Sequence, residues 1–526
     1  MTFHDGTWAW ALGSISSLSF SGITIALAIG LLFSWYFASW HRLRHVPGPF
    51  LNSISLLPMN IMTMGGKLSF RLKELGDKYG PLVRVGPNEV LFGDAESYRA
   101  ISAVRSDFRK GPWYELSKVV PDTDSLFSMR DDEARKELKA KLSPGYAGRD
   151  NGGFEPGINR IVQQFVHLVE SKYVSTADDF RPMEFAHKSQ YFALDVVGQL
   201  SFGEALGFVA RDEDLWGYVK TNDETFPIFA VMLNTPYVGR ILQHWPLSKL
   251  LPFSNEKYGF GKLMHVAKGI VDKKLASGAK PDGTMIYHHL RNGLTYKELL
   301  AEIFLELCSR TTLISRSSIA GSDSTATAIR MTTLCLLNTP ASLNTLRREI
   351  DDGVREGRIS SPISDSEARE MPFLQAVIKE GIRMYPPQTA LNYKQVASGG
   401  AEVCGHFLPE GTQLGVNIHR LMRSKDTFGI DADVFRPERW IEAAAADEER
   451  FREMGAVVEL DFGHGRFQCL GKVIAFMELN KIFVELLRRF DFAVVTPQEP
   501  LKLWDAGFWV TDDFYLRVSR RSDLEA

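Results

Sequence analysis

Apolar residues recur at three- and four-residue spacing along most of this chain, the periodicity of helices that bury one face. From about Asn159 to Leu487 such runs follow one another, NRIVQQFVHLVESKY among them. Alternation is confined to short stretches. LVRVGPNEVLFGD, Leu82–Asp94, predicts two strands about a Gly-Pro-Asn turn, and AEVCGHFLPEGTQLGVNI, Ala401–Ile418, predicts a second extended patch. VVELD, Val457–Asp461, reads as one more extended segment. It leads into a glycine-rich loop and then, from Leu470, into LGKVIAFMELNKIFVELLRRF, a Pro-free run of strong helix formers. The expected fold class is mainly α with small β-sheets at its edges.

One stretch follows neither period. FSGITIALAIGLLFSWYFASW, Phe20–Trp40, carries no charge over 21 residues. As a helix it spans ~30 Å at ~1.5 Å per residue, about one hydrocarbon core. Trp35, Tyr36 and Trp40 gather at one end, and HRLRH follows at once, whereas only His4 and Asp5 titrate before the run. That asymmetry places the bulk of the chain on the cytoplasmic side. A cleaved signal peptide would have a shorter apolar run, with basic residues ahead of it and a small-residue cleavage site behind. The expected organisation is a short lumenal N-terminus (1–19), a transmembrane anchor (20–40), a basic, proline-containing hinge (41–50) and one large domain (51–526). VPGPF, Val46–Phe50, makes the hinge stiff and non-helical.

Composition excludes more than it identifies. With 44% apolar and 11% aromatic residues among 526, a large core is within reach. A net charge of −3 provides no basic field for nucleic acid. The four cysteines, Cys308, Cys335, Cys404 and Cys469, form no CxxC pair and suit a reducing compartment.

Cys469 stands apart from the others. In FGHGRFQCLG, Phe462–Gly471, it sits where the loop turns into a helix N-terminus, and free amides there favour a thiolate. Most unpaired cysteines are small buried hydrophobes. Here Gly463, Gly465 and Gly471 clear side chains from around the sulfur, as the approach of a flat group requires. Zinc fits badly because no second Cys or His stands at ligand spacing, whereas one thiolate with an open face suits haem iron. Glu380 and Arg383 in FLQAVIKEGIRMYPP share one face of an apolar helix, where a buried pair needs a further partner. Arg439 in FRPERW offers a planar one. In IAGSDSTATAIR, Ile319–Arg330, Ala320 and Gly321 let a helix pass close to a flat ligand, and Asp323, Ser324 and Thr325 supply proton-relay groups.

Taken together, these motifs behind an N-terminal anchor resemble the cytochrome P-450 superfamily of haem-thiolate monooxygenases, in the style of microsomal fungal members that tailor secondary metabolites. The likeness runs from about Pro47 to the C-terminus and includes GPLVRVGPNEV and the PEGT turn, Pro409–Thr412. It implies the P-450 fold behind a single transmembrane helix, and haem b with Cys469 as its proximal iron ligand. Phe462, Gly465, Gly471, Ala320 and Gly321 would lie against the haem, and Glu380, Arg383 and Arg439 would form a buried structural triad. Asp323 with Ser324 or Thr325 would deliver protons. Loop residues between Asp107 and Met129, such as Trp113, and the AGFWV stretch near Phe508 would line the pocket for a small hydrophobic substrate. Electrons would come from NADPH through a membrane-bound reductase, at the endoplasmic reticulum membrane, with the catalytic domain facing the cytosol. Reductase-independent isomerase, dehydratase or peroxygenase chemistry is the alternative, against which Asp323 and its vicinal hydroxyls argue.

Three places depart from the family pattern. Phe467 stands where a basic partner for a haem propionate is usual, so Arg466 is expected to take that role, with Arg135 and Lys139 of RDDEARKELKAKLSPGY as further candidates. Ser324 occupies the usual threonine position, with Thr325 next. CSRTTLISRSS, Cys308–Ser318, interrupts an apolar helix with two arginines and many hydroxyls. It reads either as an unspliced intron or as a genuine bulge, which could leave a non-catalytic haem-binding relative.

Overall fold

The computed structural model describes residues 7–118, 123–148, 153–236, 241, 259–276, 283–307 and 321–521. The first helix, α1 (Thr7–Arg42), extends beyond the expected span at both ends, and its Gly22–Arg42 part is long and apolar enough to cross a membrane. The segment after it is stiff but does not hold the helix apart from the rest. Leu43 and Val46 are buried, Arg42 donates to the Glu410 carbonyl at 3.0 Å, and Arg84 reaches back to the Trp40 carbonyl at 3.0 Å. A Cβ on Gly48 would stand 2.4 Å from the Arg84 carbonyl oxygen, so glycine is what lets this strap lie on the first strand.

That strand, β1 (Leu82–Arg84), pairs antiparallel with β2 (Glu89–Phe92), Leu82 facing Phe92 across the hairpin. α2 (Ala95–Ser102), capped by Asp94, and β3 (Arg109–Lys110) follow. Helices α3 (Asp132–Ala147), α4 (Glu155–Leu168), α5 (Phe185–Phe202) and α6 (Tyr218–Asn234) build one flank. The middle is formed by α7 (Tyr296–Leu307), α8 (Asp323–Leu337) and α9 (Pro372–Met384). β4 (Lys394–Gln395) and β5 (Gln413–Val416) complete a five-stranded sheet of order β1-β2-β5-β4-β3. α10 (Glu438–Ala446), α11 (Glu448–Val458) and α12 (Lys472–Leu487) close the core, and small sheets near the C-terminus edge it. The observed class is the expected one, mainly helical with small sheets.

α8 is buried on almost every side, packed against α5, α9 and α12, as its small and apolar residues dictate. α9 starts on Pro372 and stops ahead of Pro386 and Pro387, because proline fits a first helical turn and cannot continue a last one. Val457–Asp461 corrects the expectation of an extended segment. Met454, Val457 and Val458 are buried at helical spacing and end α11, and a 3-10 turn, Glu459–Phe462, follows. Packing of that stripe overrides the strand preference of a Val-Val pair.

Candidate active site

A cavity of about 310 Å³ lies between the glycine-rich loop, the start of α8 and the sheet. Cys469 opens onto it just ahead of α12. Its amide donates to the Phe462 carbonyl at 2.7 Å, closing the loop. Burial pushes the Cys469 thiol up, and the amides of Gly471 and Lys472, which donate to its sulfur, pull it back. Phe462 lines the cavity and packs on Phe476, ring centroids 5.3 Å apart.

The glycines divide by cause. Gly463 (φ +76°) and Gly465 (φ +54°) occupy left-handed backbone, and a Cβ on either would stand 2.5 Å from a carbonyl oxygen, of Phe467 and Ser102 respectively. Contacts within the protein thus demand both, so neither reports by itself on a flat ligand. A Cβ on Gly471 would make ordinary contact with the sulfur at 3.8 Å, and what Gly471 contributes is its amide.

Across the cavity stand Gly321, Ser324, Thr325 and Ala328. They form an i, i+3, i+4, i+7 stripe, one face of a helix. Asp323 falls off that stripe and does not line the cavity. It is 5% exposed and faces α5 and α6, its carboxylate accepting from the Gln190 amide and, at 3.1 Å, from the Asn222 amide. Ala320 and the interruption Cys308–Ser318 lie outside the described residues. Phe508 lines the cavity, whereas Trp113 does not; its neighbour Tyr114 does.

Glu380, Arg383 and Arg439 meet in one buried cluster behind α9. The Glu380 carboxylate accepts from Arg383 Nε (2.9 Å) and Nη2 (2.8 Å) and from Arg439 Nε (2.9 Å). It also takes the Arg436 amide at 2.8 Å and Trp440 Nε1 at 2.9 Å. The guanidiniums in turn donate to carbonyls of Met422, Asp431 and Val434. Burial raises the Glu380 carboxyl, but Arg383 and Arg439 outweigh it and hold the group below the usual range. Arg436 and Trp440 were missed from sequence, although both flank Arg439 in FRPERW.

At another wall, four cations surround a single ring. From the Phe467 centroid, Lys394 lies 4.3 Å away, Arg135 4.7 Å, Arg466 4.8 Å and Lys110 6.0 Å. Asp132 pairs with Arg135 at 3.2 Å and with Arg466 at 3.3 Å. Lys394 donates to the Tyr114 hydroxyl at 2.7 Å. Burial first, then Arg135 and Arg466, push Lys394 down to about 7. Arg135 and Lys139 clasp the loop through the Arg466 carbonyl, at 2.8 and 3.2 Å, and Arg466 itself reaches the Phe108 carbonyl. The Nε atoms of Arg135 and Arg466 are buried with no partner among the described residues. Four cations outnumber the acids near them, which makes a seat for an anion. Lys394 had no local sequence signal; the fold carries it to Phe467 from a strand far along the chain.

A slot with one sulfur donor in its floor and surplus cations along one wall fits a flat, metal-bearing group with anionic arms. The family model for Cytochrome P450 matches residues 47–512. The chain belongs to the cytochrome P450 family. Cytochrome P450 monooxygenase ABA1 of Pyricularia oryzae is 39% identical over 510 residues, 95% of this chain and 97% of that protein. Cytochrome P450 monooxygenase aba1 of Botryotinia fuckeliana is 37% identical over 487 residues, 92% and 93% of the two chains. Cytochrome P450 monooxygenase cicH of Emericella nidulans is 28% identical over 511 residues, 95% and 99%. This P450 is accordingly an oxidoreductase, and haem is the group its site implies. Cys469 would hold the iron, and Arg135, Lys394, Arg466 and Tyr114 would hold the carboxylate arms.

Proposed function

We propose that this P450 is a haem-thiolate monooxygenase that inserts one oxygen atom from O2 into a small, largely apolar molecule of fungal secondary metabolism. Electrons come from NADPH through a reductase. α1 anchors the protein in the endoplasmic reticulum membrane, with the catalytic domain in the cytosol. The observation that carries this reading is the Cys469 sulfur, cradled by two amides and opening into a slot whose far wall presents Ser324 and Thr325.

Haem, when bound, supplies the activation of oxygen. The chain supplies the surroundings. The Gly471 and Lys472 amides stabilise negative charge on the sulfur. The Ser324 and Thr325 hydroxyls pass protons into the cavity. Leu305, Ala328, Ile382 and Phe508 position an apolar substrate and keep bulk water out. Asp323, clamped by Gln190 and Asn222, fixes the first turn of α8 and so the direction of those hydroxyls. The fungal sources of the relatives support the metabolic setting.

The test is spectroscopic first. Reduced, CO-treated protein should show the Soret band of thiolate-ligated haem, and NADPH consumption with a reductase should yield a product labelled from heavy-isotope O2. Cys469→Ala should abolish the thiolate signature. An unaltered Soret band in that variant overturns the reading.

A further inference from the structure

The cavity lining includes a buried acid and a buried base that the proposed mechanism does not use. Glu302 on α7 is 1% exposed and Lys110 on β3 is 5% exposed. Beside a ligand pocket, such a pair suggests recognition of a charged substrate. Their hydrogen bonds point elsewhere. Glu302 Oε1 accepts the Leu126 amide at 2.6 Å, while Lys110 Nζ donates to the Leu126 carbonyl at 2.9 Å and the Phe127 carbonyl at 2.6 Å. A single residue is thus gripped at its N–H from α7 and at its C=O from β3.

The rest of this segment is braced in the same way. The Ser125 amide donates to Ser128 Oγ at 2.9 Å, Ser128 Oγ donates to Asp124 at 2.8 Å, and Asp124 pairs with Lys118 at 2.9 Å. Arg130 donates to the Lys110 carbonyl at 3.1 Å. The side chains of Leu126 and Phe127 face the cavity, and the Phe127 ring lies 5.3 Å from that of Tyr114. Side-chain hydrogen bonds to both the amide and the carbonyl of one residue fix its backbone firmly. Leu126 and Phe127 thus present hydrocarbon to the cavity, and the Glu302 and Lys110 head groups are turned to the backbone of that segment.

Resting on the reading of this cavity as a monooxygenase substrate site, we infer that Glu302 and Lys110 are specificity-determining residues. Together they latch Leu126 and Phe127 as a fixed wall, so the pocket selects neutral, apolar substrates by width and not by charge.

Imidazole and 1-(4-biphenylyl)imidazole, which bind haem iron through nitrogen and shift the Soret band, serve as narrow and wide probes. In Glu302→Leu the ratio of wide-probe to narrow-probe affinity should rise about tenfold, the scale of one lost charge-assisted hydrogen bond. Lys110→Met should act alike, and the double variant should add little, because both residues hold one segment. Glu302→Gln, whose amide oxygen still accepts from Leu126, should keep most of the parent ratio. Hydrogen exchange of the Leu126 amide in the full chain should speed up at least about tenfold in Glu302→Leu. Exchange needs no haem signal, so a protein without the thiolate spectrum sinks the monooxygenase reading while the latch stays measurable. Unchanged Leu126 exchange and an unchanged probe ratio overturn the latch. So does tenfold tighter binding of a carboxylate- or ammonium-bearing probe than of its neutral isostere.

Discussion

Two buried clusters of positive charge lie in this P450, one around Glu380 and one around Phe467, and they are built on opposite principles. In the first, the Glu380 carboxylate accepts from two guanidiniums, an indole and an amide, the Asp431 carboxylate accepts from Arg439 at 2.8 Å, and further guanidinium hydrogens find backbone carbonyls. In the second, Lys394, Arg135, Arg466 and Lys110 converge on an aromatic ring with Asp132 as the paired acid. A ring quadrupole attracts cations but cancels no charge. The matched cluster needs no ligand, and the unmatched one is complete only with an anion. The difference separates a structural use of buried charge from a binding one.

The contrast breaks most visibly at Glu380. In Glu380→Gln two buried guanidiniums face a neutral amide, and loss of one partner from a buried ionic cluster costs about 3–5 kcal/mol. The expected outcome is a large fall in the denaturant midpoint together with lost haem content. A midpoint equal to the parent's would mean that the cluster carries no such load.

Lys394→Met should behave differently, because its effect changes sign with haem. In haem-free protein, replacing an unmatched buried ion by a hydrophobe of similar volume is neutral or stabilising by up to about 4 kcal/mol. In haem-loaded protein the same change removes a charge-assisted partner, and haem transfer to an acceptor globin should quicken about tenfold. Destabilisation of both forms alike would show that Lys394 is structural.

The pH dependence sharpens this. Lys394 is held at about 7 in the folded haem-free chain, below its unfolded value near ~10.4. Between those values the unfolded chain binds more protons, so stability rises with pH from about 7 upward, by at most ~1.4 kcal/mol per unit for one group. Thermal unfolding of the haem-free parent between pH 7 and 9 should show that rise, and Lys394→Met should show less of it. With haem bound, an anion beside Lys394 restores its charge, and the two proteins should run parallel. Lys110, also pushed down by burial and by Lys394, contributes in the same direction.

The same two clusters show what sequence can and cannot reveal. Glu380 and Arg383 are three apart on one helix, and Arg439 stands in a motif with a clear partner role, so local spacing names them. The cations around Phe467 come from β3, α3, β4 and the cysteine loop, and no window of sequence contains them together. Asp323 is the instructive case. The spacing of Gly321, Ser324, Thr325 and Ala328 puts it off their face, and motif likeness gives its role without giving its direction. Val457 and Val458 carry strand propensity, and burial of the helical stripe that begins at Met454 overrides it. The strap after α1 reads as a spacer because its burial depends on Arg84 and Glu410, far along the chain.

The smallest expected effect concerns Ser324, a half-buried residue on the cavity stripe. A serine hydroxyl in a helix samples several χ1 wells, whereas the branched threonine side chain is restricted to fewer. Ser324→Thr adds a methyl at a position that lines the cavity, and should hold the hydroxyl more steadily. Hydrogen peroxide released per NADPH consumed should then fall, by about twofold if the difference amounts to one rotamer well. Thr325→Val supplies the counterpart, keeping the shape while removing a hydroxyl. If peroxide rises in Thr325→Val and stays level in Ser324→Thr, the proton donor is Thr325. Asp323, clamped one residue before Ser324, would then govern the reaction only through the backbone that carries both hydroxyls.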